Sequence, residues 1–290
     1  MEKIVITGGG GFLGSRFTKM WKNKYEILSP DSDVLDVTDE GVVMDYIERE
    51  KPDYVIHTAG IPSQQFCIDN PKKARAVNVD GALYVAKACK NVGAKLIFTS
   101  TEQLFDGSTE KGPYKENDTP VPNSVYGSNK LEVEQKLPEI LKEYWVVRFT
   151  WLFGLPEKDC TIGPNILWDT IKAAIKNQPV KASRFEFRGM SDVNQICVNL
   201  EKLFSKPYGT YHFGSVNKSS RYEIVKYILE ELGLDDNQIN NILIEDNSKY
   251  NAEKIRDLRL DTTKLTECGI EFKETKEAIH NCLKEFNIIK

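Results

Sequence analysis

The segment KIVITGGGGFLGSRF, residues 3–17, decides the fold of this chain. A β-branched apolar run comes first, a glycine-rich turn follows, and a pattern of helical spacing comes after the turn. Gly8, Gly11 and Gly14 recur at every third position. Glycine there permits a tight turn, a close approach of the backbone to a pyrophosphate and close packing of helix on strand. Because the N-terminus of the following helix also offers free N–H groups to phosphates, the segment predicts a dinucleotide site.

The first half of the chain continues this strand–turn–helix pattern. Short apolar runs such as DYVIHTAG, AKLIFTS and YWVVRFT alternate with longer helical patterns such as PKKARAVNVDGALYVAKACKNVG. Alternation of this kind predicts an α/β fold, a doubly wound parallel sheet of the Rossmann type with helices on both faces. Ligands of such folds bind at the C-terminal edge of the sheet.

The pattern becomes irregular after residue 151. Helical spacing returns in NILWDTIKAAIKNQ, RYEIVKYILEELG and TKEAIHNCLKEF, which predicts a smaller C-terminal substrate-binding lobe. We assign residues 1–155 and 187–217 to an NAD(P)-binding Rossmann domain, and residues 156–186 and 218–290 to the lobe.

Composition argues against several classes of protein. The chain has 290 residues and a formal net charge of −4, and no basic stripe indicates nucleic acid or an anionic membrane as a partner. No apolar run reaches the roughly 18 residues of a membrane-spanning helix, and the first residues lack the pattern of a signal peptide. Six cysteines without a Cys-x-x-Cys pair are typical of reduced thiols, so we expect a cytoplasmic protein with no metal site.

The end of the second predicted strand, LSPDSDVLDVTD, bears on the choice of cofactor. Asp31 lies about 20 residues after the glycines, where an acidic residue accepts hydrogen bonds from the adenosine ribose. Asp33 and Asp36 follow without an arginine, which argues against a bound 2′-phosphate. Arg16 in the first helix opposes that inference if its side chain reaches the ribose. We therefore expect NAD(H) or NADP(H), with a preference for NAD(H).

Three Tyr-x-x-x-Lys pairs compete for a catalytic role. They are Tyr126 with Lys130, Tyr222 with Lys226, and Tyr250 with Lys254. Side chains four residues apart share one face of a helix, and a neighbouring ammonium lowers the pKa of a phenol from about 10. Only Tyr126 follows a predicted strand that ends in hydroxyls, Ser100 and Thr101, which can polarise a carbonyl group. We therefore predict Tyr126, Lys130 and Thr101 as catalytic, and assign the other pairs to structural roles in the tail.

These motifs together resemble the extended short-chain dehydrogenases, and within them the dTDP-4-dehydrorhamnose reductase family. The resemblance rests on the glycine turn, LDVTD, HTAG, Asn78, STEQLFDG, PYKENDTP and YGSNK, and continues in VVRFTWLFG and LRLDTTKL. It covers nearly the whole chain.

The resemblance implies roles for individual residues. Tyr126 would be the general acid with Lys130 as its partner, and Thr101, with Ser100 as the alternative, would bind the carbonyl oxygen. Asn78 would support the active site, although a polar helix residue is an equally open interpretation. The residues that we expect at the cofactor are Gly8, Gly11, Phe12, Leu13, Gly14, Asp31, Asp36, Val37, Ala59, Gly60, Ile61, Asn78, Ser100, Tyr126 and Lys130. Those that we expect at the substrate are Thr101, Glu102 and Trp151.

The chain also departs from the family pattern. Glu102 and Gln103 replace an Asp-Tyr pair that faces the sugar, and RFEFRGMSD replaces a Gly-x-Pro-Thr segment. Arg16 stands where some members carry a glutamate linked to a metal, so we expect no metal-bridged dimer. A homodimer of another kind stays open.

We therefore predict reduction of a nucleotide-linked 4-keto-deoxysugar by a nicotinamide cofactor, with Tyr126 as the general acid. One alternative is a nucleotide-sugar epimerase or dehydratase with tightly bound NAD, for which Glu102 supplies one carboxylate. The other is a non-catalytic NAD(P)-binding regulatory subunit, against which the intact Thr101, Tyr126 and Lys130 set argues. Fold alone does not decide among them.

Overall fold

The computed structural model describes residues 1–290. The strands are β1 (Lys3–Thr7), β2 (Glu26–Leu28), β3 (Tyr54–His57), β4 (Lys95–Thr101), β5 (Tyr144–Phe149), β6 (Trp151–Phe153), β7 (Val180–Ala182), β8 (Glu186–Phe187), β9 (Met190–Asp192), β10 (Gly209–Phe213), β11 (Leu243–Glu245) and β12 (Arg256–Asp257). The helices are α1 (Gly14–Trp21), α2 (Glu40–Glu50), α3 (Gln64–Asp69), α4 (Pro71–Arg75), α5 (Gly81–Val92), α6 (Val125–Ile140), α7 (Ile166–Lys176), α8 (Val193–Leu203), α9 (Arg221–Glu231), α10 (Asp236–Ile242), α11 (Thr263–Glu267) and α12 (Thr275–Glu285).

The central sheet has six parallel strands in the order β10-β5-β4-β3-β1-β2. Successive side chains of a strand point to opposite faces, and β4 shows the result. Leu96 and Phe98 pack with residues of α2, α5 and α6, whereas Ile97 packs with residues of α1 and α8. Both faces of the sheet are thus covered by helices, which confirms the predicted doubly wound fold.

The predicted long helix after β3 differs from a regular helix in its middle. A π-helical turn, Ala76–Asp80, joins α4 to α5. Such turns occur often at functional sites, because one extra residue changes the direction of the side chains. This one contains Asn78, which is fully buried. The short helix α3 before it was not predicted, and it begins where the Ser63 hydroxyl accepts the N–H of Phe66.

A third apolar cluster lies outside the sheet and supports the C-terminal lobe. It joins buried residues of α7, α9, α10 and α12 with Phe153 of β6 and Leu155 just after that strand. Helix α9 begins with a capping box between Ser220 and Glu223. Leu265 in α11 packs instead with the sheet, although it lies within the range assigned to the lobe. The division into domain and lobe stays a prediction.

The structure also bears on membrane spans, disulfides and metal sites. No helix is long and apolar enough to cross a membrane. All six cysteines are free thiols, and no group of three or more His, Cys, Asp or Glu side chains is arranged to hold a metal ion.

Candidate active site

The glycine turn between β1 and α1 has the shape that a dinucleotide needs. Gly8 has a φ of +68°, and a Cβ atom on it would lie 2.7 Å from the backbone nitrogen of Ala59. A Cβ on Gly14 would lie 2.5 Å from the carbonyl oxygen of Gly8. Side chains at these two positions would therefore fill the turn and push α1 away from it. Because the turn is closed to side chains and leads into a helix N-terminus, it fits a pyrophosphate.

Arg16 does not reach the ribose, contrary to the concern raised by the sequence. Its side chain is fully buried, and its two terminal nitrogens are taken up by backbone carbonyl groups. Nη1 donates to the carbonyl oxygens of Phe12 and Thr161 at 2.8 and 2.9 Å, and Nη2 donates to that of Leu155 at 2.9 Å. The guanidinium also lies 4.3 Å from the centroid of the Phe12 ring. Arg16 thus fastens the loop after β6 to the start of α1, and Phe12 belongs to that contact.

The loop after β6 also contacts the glycine turn directly. The Thr161 hydroxyl donates to the Gly10 carbonyl oxygen at 2.7 Å, and its N–H donates to the Ser15 hydroxyl at 3.1 Å. Leu13, next to the turn, packs against the cluster of α1 and α8. The loop therefore forms one wall of the predicted cofactor site.

A cavity of about 340 Å³ lies beside the turn at the expected ribose position. Asp31 lines it, as the sequence predicts, together with Asp159 from the loop after β6. Lys19 of α1 and Lys22, which directly follows α1, line it too, and the sequence analysis missed both. The only sequence feature that could have indicated these two lysines is their helical spacing from the glycine turn. The cavity is thus lined by both acidic and basic side chains.

Asp36 and Val37 have mainly local contacts. The Asp36 carboxylate accepts the N–H and the hydroxyl of Thr38 at 2.9 and 2.8 Å. The Val37 side chain is buried in the core against Gly81. Its predicted contact with the adenine can therefore involve only the backbone, because the side chain is enclosed.

Asn78 holds the loop that the sequence assigns to the nicotinamide side. Its Oδ1 accepts the N–H of Ile61 at 2.7 Å, and its Nδ2 donates to the Ile61 carbonyl oxygen at 3.1 Å. A Cβ on Gly60 would lie 3.3 Å from Asn78 Oδ1 and 3.7 Å from Lys130 Nζ. Asn78 therefore positions the Ala59–Gly60–Ile61 loop beside Lys130, and its polar atoms are occupied by that task.

Tyr126 and Lys130 lie on the first turns of α6, which begins where the Ser124 hydroxyl accepts the N–H of Gly127 at 3.1 Å. Lys130 is 2 % exposed. Its Nζ donates to the Thr99 carbonyl oxygen at 2.8 Å and lies 5.8 Å from the centroid of the Tyr126 ring. Strand β4 and helix α6 thus bring the two predicted catalytic side chains together.

The electrostatics of this pair differ from the prediction. Burial raises the pKa of Tyr126, and Cys67 and Glu102 raise it further. Burial also lowers the pKa of Lys130 from 10.5 to about 8, which Glu134 partly opposes. The expected lowering of the phenol pKa by the ammonium is therefore wrong for the protein without ligands, because loss of solvent is the larger effect. A phenol that stays protonated is suited to donate a proton.

Thr101 ends β4 in a buried position. Its Oγ1 accepts the N–H of Gln103 at 3.2 Å, which leaves the hydroxyl hydrogen free to donate. Gln103 in turn accepts a hydrogen bond from Gln64 of α3 at 2.6 Å. The contacts of Thr101 are thus compatible with binding a carbonyl oxygen.

The Ser100 hydroxyl is held by Glu134, so Thr101 is the better placed of the two to bind a carbonyl oxygen, and the contact of Ser100 with the cofactor stays a prediction. Neighbouring residues of a strand point to opposite faces. The Ser100 hydroxyl donates to Glu134 at 2.6 Å, and Glu134 is held by Arg148 at 2.6 Å. This buried network lies between the sheet and α6 rather than at the end of β4.

Glu102 enters a cluster of charges that the sequence analysis missed. It is 2 % exposed and lies 3.3 Å from Nη1 of Arg188, which is equally buried. The Arg188 guanidinium stacks over Trp151 at 4.2 Å from the ring centroid. Arg188 comes from RFEFRGMSD, and the only signal for it was the departure of that segment from the family pattern.

The other charges of the cluster surround Glu186. Arg256 lies 2.8 Å from its carboxylate and Arg221 lies 3.4 Å from it. Burial acts to raise the pKa of Glu186, but three arginines together lower it. Burial raises the pKa of Glu102 to about 7, which Arg188 opposes. The cluster thus contains three guanidinium groups and two carboxyl groups, of which Glu102 is the more readily protonated.

His57 is a further buried polar residue near the site. Its Nδ1 shares a hydrogen bond with the Thr7 hydroxyl at 2.9 Å, and burial lowers its pKa to about 3. Lys130 adds to that lowering. His57 is therefore neutral and does not supply a proton.

A groove of about 700 Å³ extends from the start of α6 toward the lobe. Ser124 and Phe105 line its inner part, and Tyr250, Lys254 and Arg256 line its wall in the lobe. Tyr250 and Lys254, one of the rejected pairs, therefore face a groove but lie in a loop, not on a helix.

Comparison with known proteins indicates the family of the chain. The family model described as RmlD substrate binding domain matches residues 1–288. The spore coat polysaccharide biosynthesis protein SpsK of Bacillus subtilis is 27 % identical over 286 residues, 98 % of each chain. A dTDP-4-dehydrorhamnose reductase of Aggregatibacter actinomycetemcomitans is 28 % identical over 97 % of this chain and 98 % of its own. Methionine adenosyltransferase 2 subunit beta of Xenopus laevis is 28 % identical over 93 % of this chain and 83 % of its own.

Solved structures show the same similarity. The structure of dTDP-4-dehydrorhamnose reductase from Bacillus anthracis in complex with NADP has 25 % sequence identity and a TM-score of 0.86, over 98 % of this chain and 99 % of that chain. UDP-glucose 4-epimerase from Thermotoga maritima has 21 % identity and a TM-score of 0.82, over 98 % of both chains, which shows the shared fold alone.

Proposed function

The chain belongs to the RmlD substrate binding domain family, and we propose that it reduces a nucleotide-linked 4-keto-deoxysugar. It is an NAD(P)-dependent oxidoreductase of the extended short-chain dehydrogenase type. The observation that carries the proposal is the assembly of Tyr126 and Lys130 beside the end of β4 and the loop at Gly60. Thr101 at the end of the same strand completes the set.

The proposed roles follow from the contacts of these side chains. The bound nicotinamide cofactor supplies the hydride for the keto carbon. Tyr126 gives its phenolic proton to the carbonyl oxygen, and the free hydroxyl hydrogen of Thr101 donates to the same oxygen. Lys130, anchored to the Thr99 carbonyl oxygen, offsets the negative charge that remains on the Tyr126 oxygen.

We propose that the glycine turn and Asp31 hold the cofactor and that NAD(H) is preferred. Two carboxylates, Asp31 and Asp159, line the ribose cavity and would repel a 2′-phosphate. Arg16, which would attract it, is turned away. Lys19 and Lys22 oppose the preference, so a direct comparison of NADH and NADPH binding tests it. A tighter complex with NADPH would contradict it.

We propose that the groove between α6 and the lobe takes the nucleotide of the substrate. Its inner end adjoins the N-cap of the helix that carries Tyr126, and its wall offers an aromatic ring and basic side chains from residues 249–256. A nucleotide there would direct its sugar toward Thr101 and Glu102.

The test is turnover of NADH or NADPH with dTDP-linked 4-keto-6-deoxysugars, followed by absorbance of the reduced nicotinamide. We expect one cofactor to be consumed for each sugar reduced. Conversion of the sugar without consumption of cofactor would contradict the reductase and favour an epimerase or dehydratase. Tight binding of cofactor without any turnover would favour a regulatory subunit.

The regulatory alternative has one observation in its favour. The Xenopus laevis relative is named as a subunit, and its identity to this chain equals that of the Aggregatibacter reductase. Identity therefore does not separate the two functions. Thr101 and Lys130 are buried, and Tyr126 lies half-buried beside Lys130. This set favours catalysis, because cofactor binding alone does not need a proton donor at this place.

A further inference from the structure

Half of the buried polar side-chain atoms that lack a hydrogen-bond partner lie in one cluster. The chain has eight such atoms, and four of them are Glu102 Oε2, Arg188 Nε, Arg188 Nη2 and Arg221 Nε. A buried polar group without a partner destabilises the folded protein, because it has lost its hydrogen bonds to water. A concentration of such atoms in a folded protein therefore indicates that a ligand completes their hydrogen bonds.

The cluster adjoins the reacting centre. Glu102 directly follows Thr101, the residue proposed to bind the carbonyl oxygen. Its carboxyl group is also close enough to Tyr126 to contribute to the raised pKa of that phenol. Trp151 and Arg221 are partly exposed, and the Trp151 ring lies against the guanidinium groups of both Arg188 and Arg221. Because Glu102 and Arg188 are each 2 % exposed, a sugar reaches the pair only if a neighbouring side chain moves.

The chemistry of the free atoms restricts the ligand. One of them, Glu102 Oε2, accepts hydrogen bonds when ionised, whereas the nitrogens of Arg188 only donate. A phosphate or carboxylate group would satisfy the nitrogens, but it has no hydrogen to donate to the ionised Glu102 Oε2. A hydroxyl group both donates and accepts, so a single hydroxyl can satisfy both partners.

We infer that Glu102 and Arg188 select a substrate whose sugar carries a hydroxyl on the carbon next to the reacting carbonyl. The hydroxyl donates to Glu102 Oε2, and its oxygen accepts from Arg188 Nη2. This inference rests on the proposed function and adds the substrate group that the site recognises. It also gives Arg188 a role in specificity.

The first test uses the unaltered protein. Reduction of a dTDP-linked 4-keto-6-deoxysugar is compared with reduction of the analogue that lacks the hydroxyl beside the carbonyl. A site built to bond a hydroxyl rejects the analogue without it, so we expect kcat/KM to fall by about 100-fold or more. A loss of less than about tenfold would overturn the inference.

The second test uses variants of the pair. We expect Glu102→Gln and Arg188→Met to lower kcat/KM for the hydroxylated sugar much more than for the analogue, so that the preference shrinks to about tenfold or less. Arg184→Met is the matched control, because Arg184 is on the same segment but exposed and paired with Glu245. Equal losses on both sugars would assign the pair to a structural role and overturn the inference. If Arg188→Met does not fold, the isosteric Glu102→Gln carries the test.

Binding separates this inference from the proposed function. If neither sugar is reduced, the reductase is wrong, but the selection can still be measured. Calorimetry then compares the affinities of the two alcohols that correspond to these ketones, the dTDP-sugars with a hydroxyl at carbon 4. We expect the one with the neighbouring hydroxyl to bind more tightly to the unaltered protein and to lose this advantage in Glu102→Gln. Equal affinities for the unaltered protein would overturn the inference.

Discussion

Helices α6 and α9 carry the same Tyr-x-x-x-Lys pattern in different surroundings. In α6, Lys130 is buried, donates to a backbone carbonyl oxygen and has a pKa lowered to about 8 by burial. In α9, Lys226 lies at the surface and forms an ion pair with Glu230. The hydrogen bond to Glu230 raises the pKa of Lys226. The guanidinium carbon of Arg184 lies 3.9 Å from the centroid of the Tyr222 ring. The spacing is therefore the same, and only the burial and the neighbours separate a candidate catalytic pair from a surface pair.

The largest expected difference between the two helices is in activity. Tyr126→Phe removes the proton donor, and we expect kcat to fall by about 100- to 10,000-fold. Cofactor affinity should change little, because the ring remains. Steady-state kinetics and a cofactor titration measure the two quantities.

Tyr222→Phe is the matched control for that variant. It removes the same hydroxyl from α9 and should leave kcat unchanged. A Tyr126→Phe protein of full activity would show that the comparison is wrong and that another group donates the proton.

The second prediction concerns stability. Lys130→Met should make the protein without ligands more stable at pH 7 by about 2 kcal/mol, while activity falls. The pKa of Lys130, lowered from 10.5 to about 8, means that burying the charged lysine costs about 3 kcal/mol. The variant gains this amount but loses about 1 kcal/mol with the hydrogen bond to the Thr99 carbonyl oxygen. Denaturant unfolding measures the difference.

The pH dependence of that difference has a definite sign. The pKa of Lys130 is lower in the folded than in the unfolded protein, so its contribution to stability is present above pH 10.5 and is lost as the pH falls through about 8. The advantage of Lys130→Met should therefore shrink as the pH rises from 7 to 10. An advantage that does not change with pH would contradict the burial of a charged amine.

The third prediction compares the N-caps of the two helices. Ser124→Ala and Ser220→Ala should each cost about 1 kcal/mol of unfolding free energy, since each hydroxyl accepts an N–H in the first turn. Ser220→Ala should cost the more of the two, because Ser220 also donates to Glu223. Only Ser124→Ala should lower kcat, because Tyr126 lies two residues into its helix. Equal effects on kcat would show that the start of α6 does not position the phenol.

The smallest effect is expected for Lys226→Met. The lysine is on the surface, and exposed ion pairs contribute little to stability. We expect neither the unfolding midpoint nor kcat to change measurably. A loss of activity would show that α9 takes part in the reaction and would remove the distinction between the two helices.

Much of the cofactor-binding half of the chain could be predicted, because each motif that indicates it spans only a few consecutive residues. The glycine turn, the strand before it and the helix after it lie within residues 3–21, and the structure reproduces them. The alternation of strands and helices predicted the parallel sheet correctly. The direction of Ser100 was also open to prediction, since it follows from the alternation along β4 once Thr101 is placed at the end of the strand.

Other parts of the site could not be predicted in this way. The inward direction of Arg16 depends on carbonyl groups of Leu155 and Thr161, which reach it only after the chain has folded. The raised pKa of Tyr126 depends on how much solvent the surrounding elements exclude. Neither quantity is a property of neighbouring residues in the sequence.

The sequence by itself determined the family, the doubly wound sheet and the glycine turn, and it singled out Tyr126–Lys130 as the candidate catalytic pair. These depend on contacts within a strand, a turn or a single helix, and such contacts repeat at fixed spacings. Only the tertiary structure decided that Glu102 would meet Arg188, that Trp151 would lie beneath the same guanidinium, and that several polar atoms of this pair would be buried without a partner. The physical reason is that burial and ion pairing depend on distance in space, and folding brings these residues together from distant parts of the chain.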